Sequence, residues 1–279
     1  MVGRKLLSPA DIGDIARRYG ITPSRSLGQN FVIDQNTIRR IVRLADIHPE
    51  DRVIEVGAGL GTLTLALAEA AERVTAIELD RKLIPALEEV LQGIPNVEVV
   101  VGDAMQIDYA PLVTAGMHRM VANLPYNIAT PLIANLLERR PEITDFVVMV
   151  QREAGERFVA SPGSKTYGAV SLLVAYHAEA RLLGKVPASV FWPVPNVESL
   201  LVRLTRRAPI VDVEGGELMR VVRAAFSQRR KTIRNTLSSG LGLEVGEVEA
   251  ALARAGVDPW ARAEALGLKE FAGLVRVLR

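Results

Sequence analysis

The feature that most restricts the fold of this chain is an alternation of apolar, strand-like segments with helical segments after Asp51. The predicted strands are Val53–Val56, Val74–Leu79, Val97–Val101, Arg119–Ala122 and Phe146–Val150. Between them, hydrophobic side chains recur at helical spacing over Thr62–Glu72, Arg81–Gln92 and Thr130–Arg139. Strands this apolar, separated by helices, indicate an α/β fold in which a parallel sheet is covered on both faces.

The pattern changes in the second half of the chain. Two further strands, Ala180–Val186 and Val197–Leu204, follow each other through a proline-rich segment, which predicts an antiparallel edge on the same sheet. A proline and glycines interrupt the periodicity near residues 208–216, and only helical patterns follow. The predicted domains are an α/β domain over residues 1–207, with an N-terminal extension over 1–33, and a helical domain over 208–279.

Composition excludes several kinds of chemistry. The 279 residues include no cysteine, so disulfides, cysteine nucleophiles and zinc–thiolate sites are ruled out. His48, His118 and His177 are far apart and lack the spacing of metal ligands, so we expect no metal site. No apolar run reaches the roughly 18 residues of a membrane-spanning helix, and the N-terminus has no hydrophobic signal core. These features predict a soluble, cytoplasmic protein.

Basic residues are unevenly distributed, although the net charge is only +2. Between Leu218 and Leu237, where we expect helices over Glu217–Arg229 and Lys231–Ser238, there are six basic residues and no acidic one. A solvated helix face also carries such charges, but the missing counter-charges favour a phosphate-binding surface. The candidates for phosphate contacts are Arg223, Arg229, Arg230, Lys231 and Arg234. A second basic group lies near the N-terminus and comprises Arg4, Lys5, Arg17, Arg18 and Arg25.

A glycine-rich turn, Glu55–Gly61, follows the first predicted strand. Its Gly-x-Gly-x-Gly spacing permits close approach of a ligand, although the third glycine comes one position early for a pyrophosphate site. Glu78 and Asp103 end the next two strands, and they suit a ribose diol and an adenine amine. Each acidic residue alone would more often cap a helix. Together at one edge of a sheet, they predict an adenosine-containing cofactor, and S-adenosylmethionine fits best.

The segment Asn123-Leu124-Pro125-Tyr126 follows the fourth predicted strand and suits a planar base with an exocyclic amine. The Asn123 side-chain oxygen and the Leu124 carbonyl can each accept one N–H of that amine. Pro125 ends the strand because it has no N–H to donate, and the Tyr126 ring offers a stacking face. The alternative is a strand followed by a proline turn, with a capping asparagine and a core tyrosine.

Taken together, these motifs resemble the KsgA/RsmA family of ribosomal RNA adenine dimethyltransferases. The matching segments run from residue 24 to about residue 271: Ser26–Phe31, Glu55–Gly61, Glu78, Gly102–Ala104, Asn123–Tyr126, Phe191–Ser199, Ala225–Thr232 and Arg262–Glu264. The resemblance implies a Rossmann-like, seven-stranded methyltransferase sheet with a small helical C-terminal domain. It implies S-adenosylmethionine-dependent N6-dimethylation of two adjacent adenosines in the 3′-terminal hairpin loop of 16S rRNA. The implied partner is the assembling 30S subunit, bound by a monomer.

The resemblance also assigns roles to individual residues. The implied cofactor contacts are Asn30, Val32, Gly57, Glu78, Asp103 and Asn123. Asn123 and the Leu124 carbonyl would hold the target amine, while Tyr126 and Phe191 would sandwich the target base. The basic residues between Leu218 and Leu237 would bind RNA.

Two residues depart from the family pattern. Asn196 stands where the family commonly has lysine or arginine, so one RNA contact is in doubt. Gly267 stands where a hydroxyl helix cap is usual, which should weaken the last helix.

Three other functions compete with this interpretation. An Erm-like enzyme that dimethylates large-subunit rRNA shares the glycine motifs, although Phe191–Ser199 and Ala225–Thr232 fit the small-subunit family better. An assembly factor that mainly binds immature subunits is compatible with the same surface. A small-molecule methyltransferase is disfavoured by the basic helical C-terminal region.

Overall fold

The computed structural model describes residues 6–24, 26–113 and 118–278. The strands within these residues are β1 (Phe31–Val32), β2 (Arg52–Val56), β3 (Arg73–Glu78), β4 (Val97–Val101), β5 (His118–Asn123), β6 (Ile143–Gln151), β7 (Ala178–Val186), β8 (Phe191–Trp192) and β9 (Ser199–Arg206). The helices are α1 (Pro9–Arg18), α2 (Gln35–Ala45), α3 (Thr62–Ala70), α4 (Ile84–Leu91), α5 (Ala129–Arg139), α6 (Arg152–Phe158), α7 (Ala169–His177), α8 (Gly215–Ala225), α9 (Ile233–Leu241), α10 (Val245–Arg254) and α11 (Leu268–Val277). None of these helices combines the length and the apolar character needed to cross a bilayer.

Seven of the strands form one sheet in the order β4-β3-β2-β5-β6-β9-β7. Neighbouring strands from β4 to β6 are parallel, and β9 pairs antiparallel with β6. This confirms the predicted parallel sheet with an antiparallel edge. Chain order reverses beside β2, which lies between β3 and β5, and ligands of such sheets bind at the carboxyl ends of the strands at this switch point. The remaining two strands, β1 and β8, form a separate antiparallel pair.

Helix α2 shows how the local sequence sets an element. Its N-cap is Asp34, whose carboxylate accepts the backbone N–H of Thr37 at 2.7 Å. Ile38 and Ile41 lie on its buried face. The helix ends at Ala45, because Asp46 adopts a left-handed conformation that stops the helical hydrogen bonding.

Helix α8 differs from the prediction at both ends. It begins at Gly215, one of the expected interrupting residues, because the Glu214 carboxylate caps the N–H groups of Gly216 and Glu217 at 2.8 Å each. It ends at Ala225, so the expected helix over 217–229 is wrong in its last turn. Residues 226–232 instead turn the chain, and α9 packs so closely on α8 that a Cβ at Gly240 would lie 2.7 Å from the Ala224 Cβ.

The chain divides into two compact units, and the division differs from the predicted boundary. The first unit comprises residues 1–155 and 181–206, and the second comprises 156–180 and 207–279. The segment 156–180 joins the C-terminal helices because α7 is apolar on nearly all sides and packs against α8 and α11. Two tyrosine hydroxyls fix this packing: Tyr167 donates to the Leu266 carbonyl and Tyr176 to the Val213 carbonyl, both at 2.9 Å.

Candidate active site

A cavity of about 230 Å³ opens at the carboxyl ends of β2, β3, β4 and β5, in the first unit. Its walls include the six residues implied as cofactor contacts: Asn30, Val32, Gly57, Glu78, Asp103 and Asn123. The structure therefore brings together side chains that are separated by up to 93 positions in sequence, as between Asn30 and Asn123. These residues converge because neighbouring parallel strands end at the same edge of the sheet.

The glycine turn between β2 and α3 forms the floor of this cavity. Gly57, Gly59 and Gly61 have φ values of +80°, +59° and +79°, a region that side chains with a Cβ rarely occupy. A Cβ at Gly57 would also lie 3.1 Å from the Pro125 ring, and one at Gly59 would lie 2.9 Å from the Phe31 ring. The glycines thus allow the turn to pass directly beneath the Asn123–Tyr126 segment.

Glu78 and Asp103 each accept hydrogen bonds from nearby backbone N–H groups and also line the cavity. Glu78 accepts the N–H groups of Gly59 and Asp80, both at 2.8 Å, which ties the end of β3 to the glycine turn. Burial raises the pKa of Glu78, while these backbone hydrogen bonds lower it. Asp103 accepts the Met105 N–H at 2.8 Å. Each carboxylate oxygen has a second lone pair with which it can accept a ligand hydroxyl or amine.

Glu55, the last acidic residue of β2 before the glycine turn, is the most unusual group in the cavity wall. It is 1% exposed, and its Oε2 atom has no hydrogen-bond partner. Burial raises the pKa of the Glu55 carboxyl to about 8, against an opposing effect of the Thr64 hydroxyl and a further increase from Glu78. Burial thus favours the protonated form of Glu55, and its Oε2 atom lies unpaired within the wall.

Asn123 has the geometry expected of a residue that holds an amine. Its side-chain Nδ2 donates to the Asn30 carbonyl at 2.9 Å, which fixes the orientation of the amide. The Oδ1 atom is then buried and has no partner among the described residues. Because leaving a buried acceptor unpaired costs about 1–3 kcal/mol, this oxygen is suited to a ligand N–H.

The rest of the segment Asn123–Tyr126 lines the first cavity, and Tyr126 also borders a second cavity. Leu124 is buried and donates its N–H to the Met149 carbonyl at 3.1 Å, so its backbone extends the pairing of β5 with β6. Tyr126 lines both cavities, and its hydroxyl is 2.8 Å from the Ser199 hydroxyl. The second cavity has a volume of about 620 Å³ and is lined on its far side by Pro193–Val197.

Phe191, to which the resemblance gives a stacking role against the target base, is held in the core. The side chain is 1% exposed and belongs to the hydrophobic core, and Phe191 pairs with Val32 across the β1–β8 ladder. It lines neither cavity. The ladder and the core hold the phenylalanine ring inward, and its stacking on a base opposite Tyr126 stays a prediction.

A family profile described as Ribosomal RNA adenine dimethylase matches residues 22–279. The chain belongs to this family. It is accordingly an S-adenosylmethionine-dependent ribosomal RNA methyltransferase. The cavity residues fit this cofactor, because the carboxylates of Glu78 and Asp103 line the cavity and glycines with positive φ leave space that a Cβ would fill.

Relatives within the dimethylase family match the chain over nearly its full length. Ribosomal RNA small subunit methyltransferase A of Moorella thermoacetica is 48% identical over 276 residues, covering 95% of this chain and 96% of that protein. The protein of the same name from Kineococcus radiotolerans is 49% identical over 272 residues, covering 96% and 90%. The crystal structure of the 23S rRNA methyltransferase ErmE has a TM-score of 0.68 and 30% identity, covering 89% of this chain and 99% of that one.

The basic residues between Leu218 and Leu237 differ in whether other groups of the protein engage their side chains. Arg234 forms an ion pair with Glu249 at 2.7 Å and stacks 4.3 Å from the Trp260 ring centroid. Arg229 donates to the Lys165 carbonyl and lies 3.7 Å from Glu264. Arg223 is exposed on α8, and Arg230 and Lys231 are exposed in the turn between α8 and α9.

The described part of the N-terminal basic group, Arg17 and Arg18, is ion-paired with acidic side chains. Arg17 pairs with Asp14 at 3.1 Å, and Arg18 pairs with Asp14 and with Glu89. Arg4, Lys5 and Arg25 lie outside the described residues.

Several cavity residues had not been singled out from the sequence. Leu79 and Met105 line the first cavity beside Glu78 and Asp103, Gln151 lines the second, and Asn127 lines both. Gln151 is the last residue of β6, Leu79 directly follows β3, and Met105 and Asn127 come four residues after β4 and β5. Closeness to a strand end is the signal that could have identified them.

Proposed function

We propose that the chain dimethylates N6 of two adjacent adenosines in the 3′-terminal hairpin loop of 16S rRNA, acting as a monomer on the assembling 30S subunit. The main support is the Asn123 side chain, whose buried Oδ1 has no partner while its Nδ2 is held by the Asn30 carbonyl. An adenine amine supplies the missing N–H. Further support comes from the name of the relatives at 48% and 49% identity, which are small-subunit methyltransferases.

When bound, S-adenosylmethionine would supply an electrophilic methyl group on its sulfonium, and transfer of that methyl group to adenine N6 would leave S-adenosylhomocysteine. In this proposal Asn30, Glu78 and Asp103 hold the cofactor in the first cavity. Asn123 Oδ1 and the Leu124 carbonyl accept the two N–H groups of the amine, which aims its lone pair at the methyl group. Tyr126 stacks on the base from the second cavity. Catalysis comes from positioning and from hydrogen bonding, and the alkylated amine loses its proton to water.

The second methylation meets a changed amine. Only one N–H remains after the first transfer, so one of the two acceptors must be left unused or reoriented. Leu124 precedes Pro125, and its own N–H is bonded to Met149 rather than replaced by a proline ring. We infer that leucine here leaves the backbone enough freedom to admit the methylated amine.

Mass spectrometry of rRNA tests the proposal. Small subunits lacking dimethyladenosine and, in parallel, large subunits are incubated with the protein and S-adenosylmethionine. Paired N6,N6-dimethyladenosines at the 3′ end of 16S rRNA are the expected product. Tight binding of small subunits without any methylation would instead make the protein an assembly factor.

A second candidate is dimethylation of 23S rRNA. The observation in its favour is the likeness to ErmE, which reaches 30% identity over 89% of this chain. Methylation confined to the large-subunit RNA in the same experiment would replace the first proposal with this one.

A further inference from the structure

The loop Pro193–Val197 presents an exposed apolar side chain at the mouth of the second cavity. Val194 is 65% exposed, the largest exposed fraction of any large hydrophobic side chain in the described part of the chain, and Val197 is 45% exposed. Single exposed valines are ordinary on protein surfaces. Val194 differs because it belongs to the wall of the cavity that also contains the Tyr126 ring.

This loop is stiff and is anchored at both ends. Pro193 and Pro195 flank Val194, their rings fix φ, and a residue before proline is confined to extended conformations. On one side Phe191 is buried in the core. On the other side Ser199 is buried, and its hydroxyl lies 2.8 Å from the Tyr126 hydroxyl. The position of Val194 is therefore tied to the position of Tyr126.

A target adenine must leave its stack before its amine can reach the buried Asn123 Oδ1. Unstacking leaves a gap in the RNA, and proteins that distort nucleic acids often fill such gaps with apolar wedges. A branched, preorganised side chain that is mostly exposed in the free protein suits this task, because inserting it costs little conformational entropy.

We propose that Val194 is a wedge that packs against the nucleobase next to the target adenosine and holds the target base out of its stack. The ligand is thus a stacked base of the rRNA hairpin loop. The inference rests on the proposed function, and it adds a residue that acts on the unstacking step.

The test uses single-turnover methylation of reconstituted small subunits. Their 16S rRNA carries a ligated synthetic 3′-terminal hairpin, either intact or with an abasic nucleotide next to the target adenosines. Val194→Ala removes the wedge but keeps both prolines, and Val194→Ile retains it. Val245→Ala, at a valine that is 42% exposed on α10 in the other unit, is the matched control.

On intact hairpins we expect Val194→Ala to lower the rate at least about fivefold, the lower end of what one stacked base contributes. Val194→Ile and Val245→Ala should match the wild type. The defect should disappear on the abasic RNA, because unstacking there needs no replacement contact.

A Val194→Ala protein as fast as wild type on intact RNA would overturn the inference. Equal defects on both RNAs, with weaker subunit binding, would also overturn it and would indicate a protein contact instead. If the wild type methylates neither RNA, the proposed function is wrong, and the inference about Val194 is rejected with it.

Discussion

The side-chain amide of Asn123 donates from Nδ2 to the Asn30 carbonyl and leaves its Oδ1 atom to accept a ligand hydrogen. Replacing it with alanine should lower the single-turnover methylation rate by about 10²–10³, as removal of one preorganised polar contact does in other enzymes. Cofactor affinity, measured by calorimetry, should change little, because the other cofactor contacts stay in place. Asn127→Ala, another amide on the same wall, serves as the control. Loss of cofactor binding in Asn123→Ala would show that Asn123 is structural.

Glu55 should make the stability of the protein depend on pH. The ordinary pKa of the carboxyl is near 4.5, and burial raises it to about 8 in the folded chain. Between these values the folded state keeps a proton that the unfolded state has lost. The free energy of unfolding must therefore fall as pH rises, by up to about 1.4 kcal/mol per pH unit.

Glu55→Gln has no such proton to lose, so its stability relative to wild type should increase from pH 5 to pH 8. Urea unfolding at several pH values measures the difference. Glu88→Gln, on the exposed surface of α4, controls for the loss of one carboxylate. A difference between Glu55→Gln and wild type that stays constant with pH would mean that Glu55 is ionised in the fold.

Leu124→Pro tests whether backbone freedom at this position permits the second methylation. We expect the ratio of dimethylated to monomethylated adenosine to fall, as measured by mass spectrometry of nuclease-digested RNA. The proline also removes the N–H that binds the Met149 carbonyl, so thermal stability must be measured alongside. Leu124→Met keeps that N–H and should dimethylate fully. Full dimethylation by Leu124→Pro would refute the idea.

At the scale of single residues, sequence reasoning succeeded where topology fixes the outcome. Glu78, Asp103 and Asn123 were found because strand ends in a parallel sheet must share an edge. The burial of Phe191 could not be predicted, because it depends on the β1–β8 pairing of strands about 160 residues apart, which no local pattern encodes. The raised pKa of Glu55 was not predicted for a similar reason, since it follows from three-dimensional burial.

At the scale of elements, the central strands were predictable and the end of α8 was not. The strands β2–β6 are apolar along most of their length, and such strands are typical of a parallel sheet that is buried on both faces. The basic segment after Ala225 has good helix formers, and only the packing of α9 on α8 through Gly240 forces a turn there. Tertiary contacts override helix propensity at this point.

That turn changes which basic residues can bind phosphate. Arg230 and Lys231 are exposed, whereas Arg229 is engaged by the Lys165 carbonyl and by Glu264. Replacing Arg230 and Lys231 with glutamine should reduce the slope of log affinity against log salt by about 1.4, at about 0.7 per lost phosphate contact. Small-subunit binding measured over a range of salt concentrations gives this slope.

Arg229→Gln is the matched control for the salt experiment. It should leave the slope nearly unchanged and instead lower thermal stability, because its partners are within the protein. An unchanged slope in the Arg230/Lys231 double variant would exclude the turn from the phosphate-binding surface.

At the scale of the whole molecule, both cavities lie in the first unit and the exposed basic turn lies in the second. The change from alternating strands and helices to helices alone predicted the boundary near residue 207, which is also where the last segment of the first unit ends. It could not show that 156–180 belongs with the C-terminal helices, because an apolar helix such as α7 packs equally well on a sheet or on other helices.

The two divisions predict different outcomes for shortened chains. Residues 1–207 retain α7 but lose α8 and α11, which exposes the buried side chains of Leu172, Leu173 and Val174. This chain should aggregate, as judged by gel filtration and by binding of a hydrophobic dye. Residues 1–155 joined to 181–206 by a flexible Gly-Ser linker lack that surface. This second chain should be monodisperse and should bind S-adenosylmethionine, because it contains every residue of the first cavity. If 1–207 were instead the well-behaved species and the joined chain aggregated, α7 would be part of the methyltransferase core.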